Sequence, residues 1–248
     1  MQPYFLAAAL FSQFLGGIIL AISLAPVVLL NLAIFPALLS LQNWVLRVCG
    51  MSLMFGMDFI LFGNLLLLTI VGLRHLFRLK NQEYATDLEN PGGVPGSRSL
   101  DGKHNWILAR LAAYNYLLTL AQVIYLPFIR STPLINWFFR GMGARIGPGT
   151  LIATTRIFDC DLVEIGSSCI IGGGSAITAH SAEGSTGMLK KVVIGNNVTI
   201  GANSYIMPGV VIEDHVRVGP NSLVPRDRRL EAGGTYIGVP VRRLPIEQ

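Results

Sequence analysis

Six residues separate each of Ile194, Ile200, Ile206, Ile212, Val218 and Val224 from the next, and no other feature of this 248-residue chain restricts its fold so tightly. Gly195, Gly201 and Gly219 stand directly after an aliphatic position, and Val198, Ser204, Val210, Val216 and Ser222 stand four after one. A second register, Ile165, Ile171 and Ile177 with Gly166 and Gly172, precedes it, and Ile146, Ile152 and Phe158 form a looser first set. A triangular coil explains the period. Each side is one short strand with one aliphatic side chain aimed at the axis, a small residue near the corner and then a turn. Such coils bury their aliphatics only against the coils above and below, so the stack is quasi-one-dimensional and its ends need covering. The register predicts a parallel β-helix of about four to five coils over residues 146–248. Short stacks gain stability by packing side by side, which predicts a homotrimer.

The rest of the chain lives in another solvent. Apolar residues make up 52% of the sequence and charged residues 13%, against about 25% charge in a soluble domain. No charge occurs from Tyr4 to Leu41, more than the roughly 20 apolar residues that span a bilayer, and Gly16, Gly17, Pro26 and Pro36 are the cheapest places for a bend. A second span is expected from about Val48 to Leu73, followed by Arg74, His75, Arg78 and Lys80, a positive flank that stays in the cytoplasm. The expectation is a transmembrane helical hairpin over 1–80 in the cytoplasmic membrane, Arg47 near its far turn, with the remainder cytoplasmic and touching membrane lipid. Asp58, inside the second span, is a functional candidate by its cost there, with Asn31 a conceivable partner. Residues 81–145 are expected to form a connector. It opens with a loop over 81–103, punctuated by Asn90-Pro91-Gly92-Gly93, and continues with an uncharged run from Leu111 to Ile129. The spacing of Asn115, Thr119 and Gln122 puts the polar atoms of that run on one helical face, read as a helix in the membrane interface. The net charge of +5, without a basic run interleaved with aromatics, excludes a nucleic-acid surface. Cys49, Cys160 and Cys169 are read as reduced, buried thiols.

The six-residue register stops after Ile177 and resumes at Ile194. A regular solenoid has no packing reason to extrude a loop, and loops on rigid scaffolds are where function concentrates. His180 stands at the base of this one, able to take a proton near neutral pH.

At Ala179-His180-Ser181, Val193-Ile194-Gly195-Asn196-Asn197-Val198, Ile206-Met207-Pro208-Gly209-Val210 and Tyr236-Ile237-Gly238-Val239-Pro240-Val241 the chain resembles the hexapeptide-repeat acyltransferases. The resemblance implies an all-β left-handed parallel β-helix, here behind an N-terminal α-helical transmembrane region. It further implies acyl transfer from acetyl-coenzyme A, without a metal, to a hydroxyl or amine bound between subunits. His180 would be the general base, oriented by Glu183 or Asp159; amides near Gly201 and Ala202 would hold the thioester oxygen. Gly219 belongs to the same cofactor-binding set, and Arg226, Arg228, Arg242 and Arg243 would meet the coenzyme phosphates or lipid headgroups. Thr154 and Thr155 stand where the sugar acetyltransferases place an asparagine for the acceptor, which argues against a simple galactoside. A closer likeness, through Thr132-Pro133, Arg140-Gly141-Met142-Gly143-Ala144-Arg145-Ile146-Gly147, Asp159-Cys160-Asp161-Leu162-Val163-Glu164-Ile165-Gly166 and His180-Ser181-Ala182-Glu183, is to the C-terminal region of ε-poly-lysine synthetases. That likeness implies a second possibility, amide formation from an aminoacyl thioester on a carrier protein. Two rivals come from other classes. A zinc-dependent carbonic anhydrase on the same solenoid needs three histidines, and only His180 and His215 lie in the repeat region. A non-catalytic trimeric membrane scaffold would need no extruded histidine loop.

Overall fold

The computed structural model describes residues 3–81, 84–85, 102–183 and 186–245, and side chains over 13–81, 110–181 and 188–245. The chain divides into two compact units, Met1–Leu76 and Phe77–Gln248, so that the expected connector shares a unit with the β-helix.

The first unit is a pair of packed helices, α1 (Pro3–Leu39) and α2 (Trp44–Leu76). At 1.5 Å per residue, the 37 residues of α1 extend about 55 Å, beyond the roughly 30 Å of a hydrocarbon core. By length and composition both helices are able to cross a membrane. Pro26 and Pro36 lie inside α1 without ending it. At the turn, Asn43 Oδ1 accepts from the Val45 amide at 2.9 Å, and the Arg47 guanidinium donates to the Leu41 carbonyl at 2.6 Å, satisfying groups that a helix end leaves open. Between the helices Asn31 Nδ2 donates to Asp58 Oδ2 at 2.8 Å, and Ser23 Oγ lies 3.3 Å from Thr69 Oγ1. Cys49, expected to be buried, is exposed on α2, whereas Cys160 and Cys169 are buried in the second unit.

In the second unit a two-residue strand, Tyr84–Ala85, precedes α3 (Gly102–Ile124), a short 3-10 turn (Leu126–Phe128) and α4 (Pro133–Gly141), after which the chain winds into three parallel sheets. The first sheet stacks Arg145–Ile146, Val163–Ile165, Val192–Ile194, Val211–Ile212 and Arg229–Leu230. The second stacks Leu151–Ile152, Ile170–Ile171, Thr199–Ile200, Arg217–Val218 and Thr235–Ile237, with Arg242–Arg243 folded back antiparallel on the last. The third stacks Arg156–Ile157, Ala176–Ile177, Tyr205–Ile206 and Leu223–Val224. Ile194, Ile200, Ile206, Ile212, Val218 and Val224 are all at most 2% exposed, and so are the small residues Val198, Ser204, Val210, Val216 and Ser222. Three positions after each aliphatic the backbone turns left-handed, at Ser168, Asn197, Asn203, His215, Asn221 and Asp227, with φ between +53° and +61°. Short polar side chains tolerate that conformation, which is why they recur there and why His215 is a corner residue.

Amides such as those of Gly147, Gly166 and Gly195 donate to carbonyls of the next coil, while others such as those of Ser168 and Asn197 donate back, so the carbonyls of Ile146, Thr150, Ile152 and Thr155 in the first coil have no earlier coil to serve them. Four donors close that row: Arg140 on Ile146 and Asn136 on Thr150, both from α4, the Ser131 amide on Ile152, and Gln122 Nε2, from α3, on Thr155 at 2.8 Å. Of the polar face that the sequence had suggested for a membrane interface, Asn115 and Gln122 are turned toward the solenoid, while Thr119 is exposed and bonds its own helix at the Asn115 carbonyl. Tyr114, Leu117, Leu118 and Ala121 are buried on the same helix, while Val123 stays 72% exposed. An open carbonyl in this part-buried row gives Gln122 a partner within the fold. The loop expected over 81–103 falls mostly outside the described residues.

Candidate active site

The site begins with a one-residue slip. In the first coil the inward residue after Ile152 is Ile157, paired with Ile177 and fully buried, where a strict period of six would have placed Phe158. The slip rotates Phe158 out of the core and against His180, ring centroids 6.2 Å apart and edge-on. The next residue, Asp159, has a left-handed backbone at φ +50° and is fully buried.

His180 belongs to the next coil, just past Ile177. Its Nδ1 lies 2.5 Å from Asp159 Oδ2, and Thr178 Oγ1, 3.4 Å from Nδ1, also donates to the His180 carbonyl. The other carboxylate oxygen, Oδ1, accepts from Asn115 Nδ2 of α3 at 3.3 Å. A carboxylate only accepts, so Nδ1 carries the proton and Nε2 keeps its lone pair. Among the described residues nothing bonds Nε2, and the His180 side chain is 41% exposed. The hydrogen bond and charge of Asp159 hold the imidazole above its ordinary pKa, against the opposing pull of burial. A half-exposed imidazole with a fixed tautomer and a free Nε2 can accept a proton from a bound hydroxyl or amine. Beside it, burial pushes the Cys160 thiol up to about 12, so this cysteine is no nucleophile at neutral pH.

The two arms of the expected loop are paired strands. His180–Glu183 pairs antiparallel with Thr186–Leu189, and Tyr84–Ala85 adds a third strand against Met188 and Leu189. The Asn81 amide donates to Asp161 Oδ2 at 3.0 Å, fastening the chain just ahead of that strand to the same corner. Glu183 has a strand position opposite Thr186, and its side chain lies outside the described residues.

The remaining candidates lie along two edges of the prism. Arg226 follows the third sheet two coils beyond His180, on the same edge, and its Nη1 approaches Met188 Sδ of the hairpin at 3.9 Å. Gly201, Ala202 and Gly219 follow the second sheet on another edge, where Arg242 and Arg243 also lie on an exposed strand, Arg243 paired with Glu231 at 2.6 Å. One protomer does not bring the two sets together. The Gly201 amide donates to Val218 O at 2.7 Å and is committed to the ladder, contrary to its expected role. Ala202 is exposed, and its amide has no partner among the described residues. Gly201 has a packing reason instead, since a Cβ there would meet the Pro220 backbone of the next coil. Thr154 Oγ1 is buried and donates to Ser175 O, so it faces the core and not an acceptor. Arg228 is exposed. The residues that sequence reasoning missed are Asn115, whose polarity it saw and whose partner it did not, and Phe158, which it placed in the core.

The family described as bacterial transferase hexapeptide (six repeats) matches residues 191–226. The chain is 33% identical over 130 residues to the unverified acetyltransferase YvoF of Bacillus subtilis, covering 50% of this chain and 74% of that protein. It is 29% identical over 116 residues to the delta-poly-L-ornithine synthetase of Acinetobacter baumannii, covering 47% of this chain but only 9% of that much longer protein. Among solved structures, a hexapeptide-repeat acetyltransferase from Vibrio cholerae shares 26% identity over 42% of this chain and 63% of its own, with a TM-score of 0.39.

Proposed function

Because the chain belongs to the hexapeptide-repeat transferase family, whose fold is a left-handed parallel β-helix and whose matched members include acetyltransferases, we propose that it is a membrane-anchored acyltransferase. The donor is an acyl-coenzyme A, acetyl in the simplest case, and the acceptor a hydroxyl or an amine. One observation carries this reading: a fully buried carboxylate, Asp159, holds Nδ1 of an imidazole whose Nε2 has no bond among the described residues.

In the proposed reaction the acceptor gives its proton to Nε2 of His180 as its oxygen or nitrogen attacks the thioester carbonyl. The new bond to the acyl carbon forms while the carbonyl oxygen takes up negative charge, and the Ala202 amide is the donor suited to meet it. The C–S bond then breaks, and the departing thiolate takes the proton from the imidazolium. Asp159 stabilises that imidazolium without taking its proton. Base catalysis of this kind contributes about 10²- to 10⁴-fold. Arg226 is a fixed donor for the coenzyme phosphates on the His180 edge; Arg242 and Arg243 serve the Ala202 edge.

Because His180 and Ala202 lie on different edges of one prism, a complete site needs two copies, which supports a homotrimer with three grooves. The two long apolar helices, with Phe14, Leu29, Leu32, Leu53 and Phe55 each 63–71% exposed, support a lipid anchor. The basic residues after α2 support a cytoplasmic catalytic unit. The similarity to a poly-ornithine synthetase favours a second donor, an aminoacyl thioester on a carrier protein, giving an amide with the same base.

The test is thiol release from acetyl-coenzyme A by the purified full-length chain in detergent, screened over amine and alcohol acceptors, beside His180→Ala. A loss of at least about a hundredfold is expected. Equal rates for the two proteins would overturn the reading.

A further inference from the structure

We propose that Asn115, on a helix outside the repeats, is a positioning residue of the site that sets both the orientation and the proton affinity of His180 through Asp159. The inference rests on the acyltransferase reading above. The Asp159 side chain is fully buried, so its partners in the intact fold are protein groups. Its two oxygens are divided: Oδ2 takes His180 Nδ1, and Oδ1 takes Asn115 Nδ2. The carboxylate is therefore held at both ends, by a helix on one side and by the base on the other.

Two consequences follow from elementary electrostatics. First, the carboxamide donor puts the positive end of a dipole on the carboxylate and offsets part of the charge that His180 feels. Without it the imidazole binds its proton more tightly. Second, a carboxylate free to turn lets the ring turn with it, so loss of the orienting partner lowers activity. A helix residue that only packed would do neither. Gln122, two turns along the same helix, supplies the comparison: its side-chain amide bonds the Thr155 carbonyl and not the Asp159 carboxylate.

The experiment is an NMR titration of His180 in the full-length protein in detergent micelles, with isotope-labelled histidine and the resonance assigned by its loss in His180→Ala. Asn115→Leu favours the helix and removes the donor. An upward shift of about half a pH unit is expected. Gln122→Leu is expected to leave the titration in place. If Asn115→Leu does not shift the midpoint, or if both variants shift it equally, the inference falls, the second result meaning that α3 acts only by docking. Because the titration needs no substrate, either outcome is separate from the acyltransferase reading, which falls only if His180→Ala retains full transfer.

Discussion

Replacing Asp159 by asparagine tests the centre of the mechanism, and the structure lets the outcome be worked atom by atom. Asparagine accepts the left-handed φ of +50° that most residues resist, so the corner is kept. The new carboxamide has one oxygen and one NH2 where the carboxylate had two oxygens. Asn115 Nδ2 already donates at the Oδ1 position, which retains the oxygen there and turns the NH2 toward His180. That NH2 donates to Nδ1, so the ring proton is driven to Nε2, the atom that must be free to act as base. The loss therefore belongs at the upper end of the 10²- to 10⁴-fold range for a general base, about 5 kcal/mol of barrier. The pH dependence moves too. In the parent protein the Asp159 hydrogen bond and charge raise the His180 pKa above 6.5 against burial, so the acid limb of kcat/KM lies above that value. In the variant only burial remains, and the limb falls below 6.5. Folding obeys the same linkage: the raised imidazole stabilises the parent below the unfolded pKa, and that contribution disappears as pH climbs through the folded pKa. The assay is kcat/KM for thiol release between pH 5 and 9, with an unfolding midpoint at each pH. A loss under tenfold at the plateau, or an acid limb that stays put, would refute the reasoning.

Two further substitutions probe the scaffold. A methyl at Gly166 would stand 2.5 Å from the Gly195 carbonyl oxygen in the next coil, and stacked coils cannot part to admit it. Gly166→Ala is expected to lose about 2 kcal/mol, seen as a lower urea midpoint at an unchanged slope, and an unshifted midpoint would contradict the packing account. Asp58→Leu removes the acceptor 2.8 Å from Asn31 and is expected to weaken the helix pair by about 0.6–2 kcal/mol, measured as a lower melting midpoint of helical signal in detergent; a higher midpoint would show that the pair serves something other than cohesion.

The sequence by itself determined the features that repeat or persist locally. Ile194 to Val224 kept step because every side of a coil repeats one strand and one corner, so a period of six in the residues is a period in space. The apolar lengths of α1 and α2 and the break at His180 were legible for the same reason: each is a property of contiguous residues. Tertiary structure decided which of the carboxylates offered by the sequence, Glu183 or Asp159, holds the His180 ring. Asp159 reaches Nδ1 only because the first coil slips by one residue, and a slip is invisible when Ile157 and Phe158 are both acceptable core residues. Asn115 reaches Asp159 from 44 residues away, and Gln122 reaches an open carbonyl that exists only once a first coil has been laid down. Partners of this kind are chosen by which buried polar atoms the finished fold leaves unsatisfied, a demand that no stretch of neighbouring residues expresses.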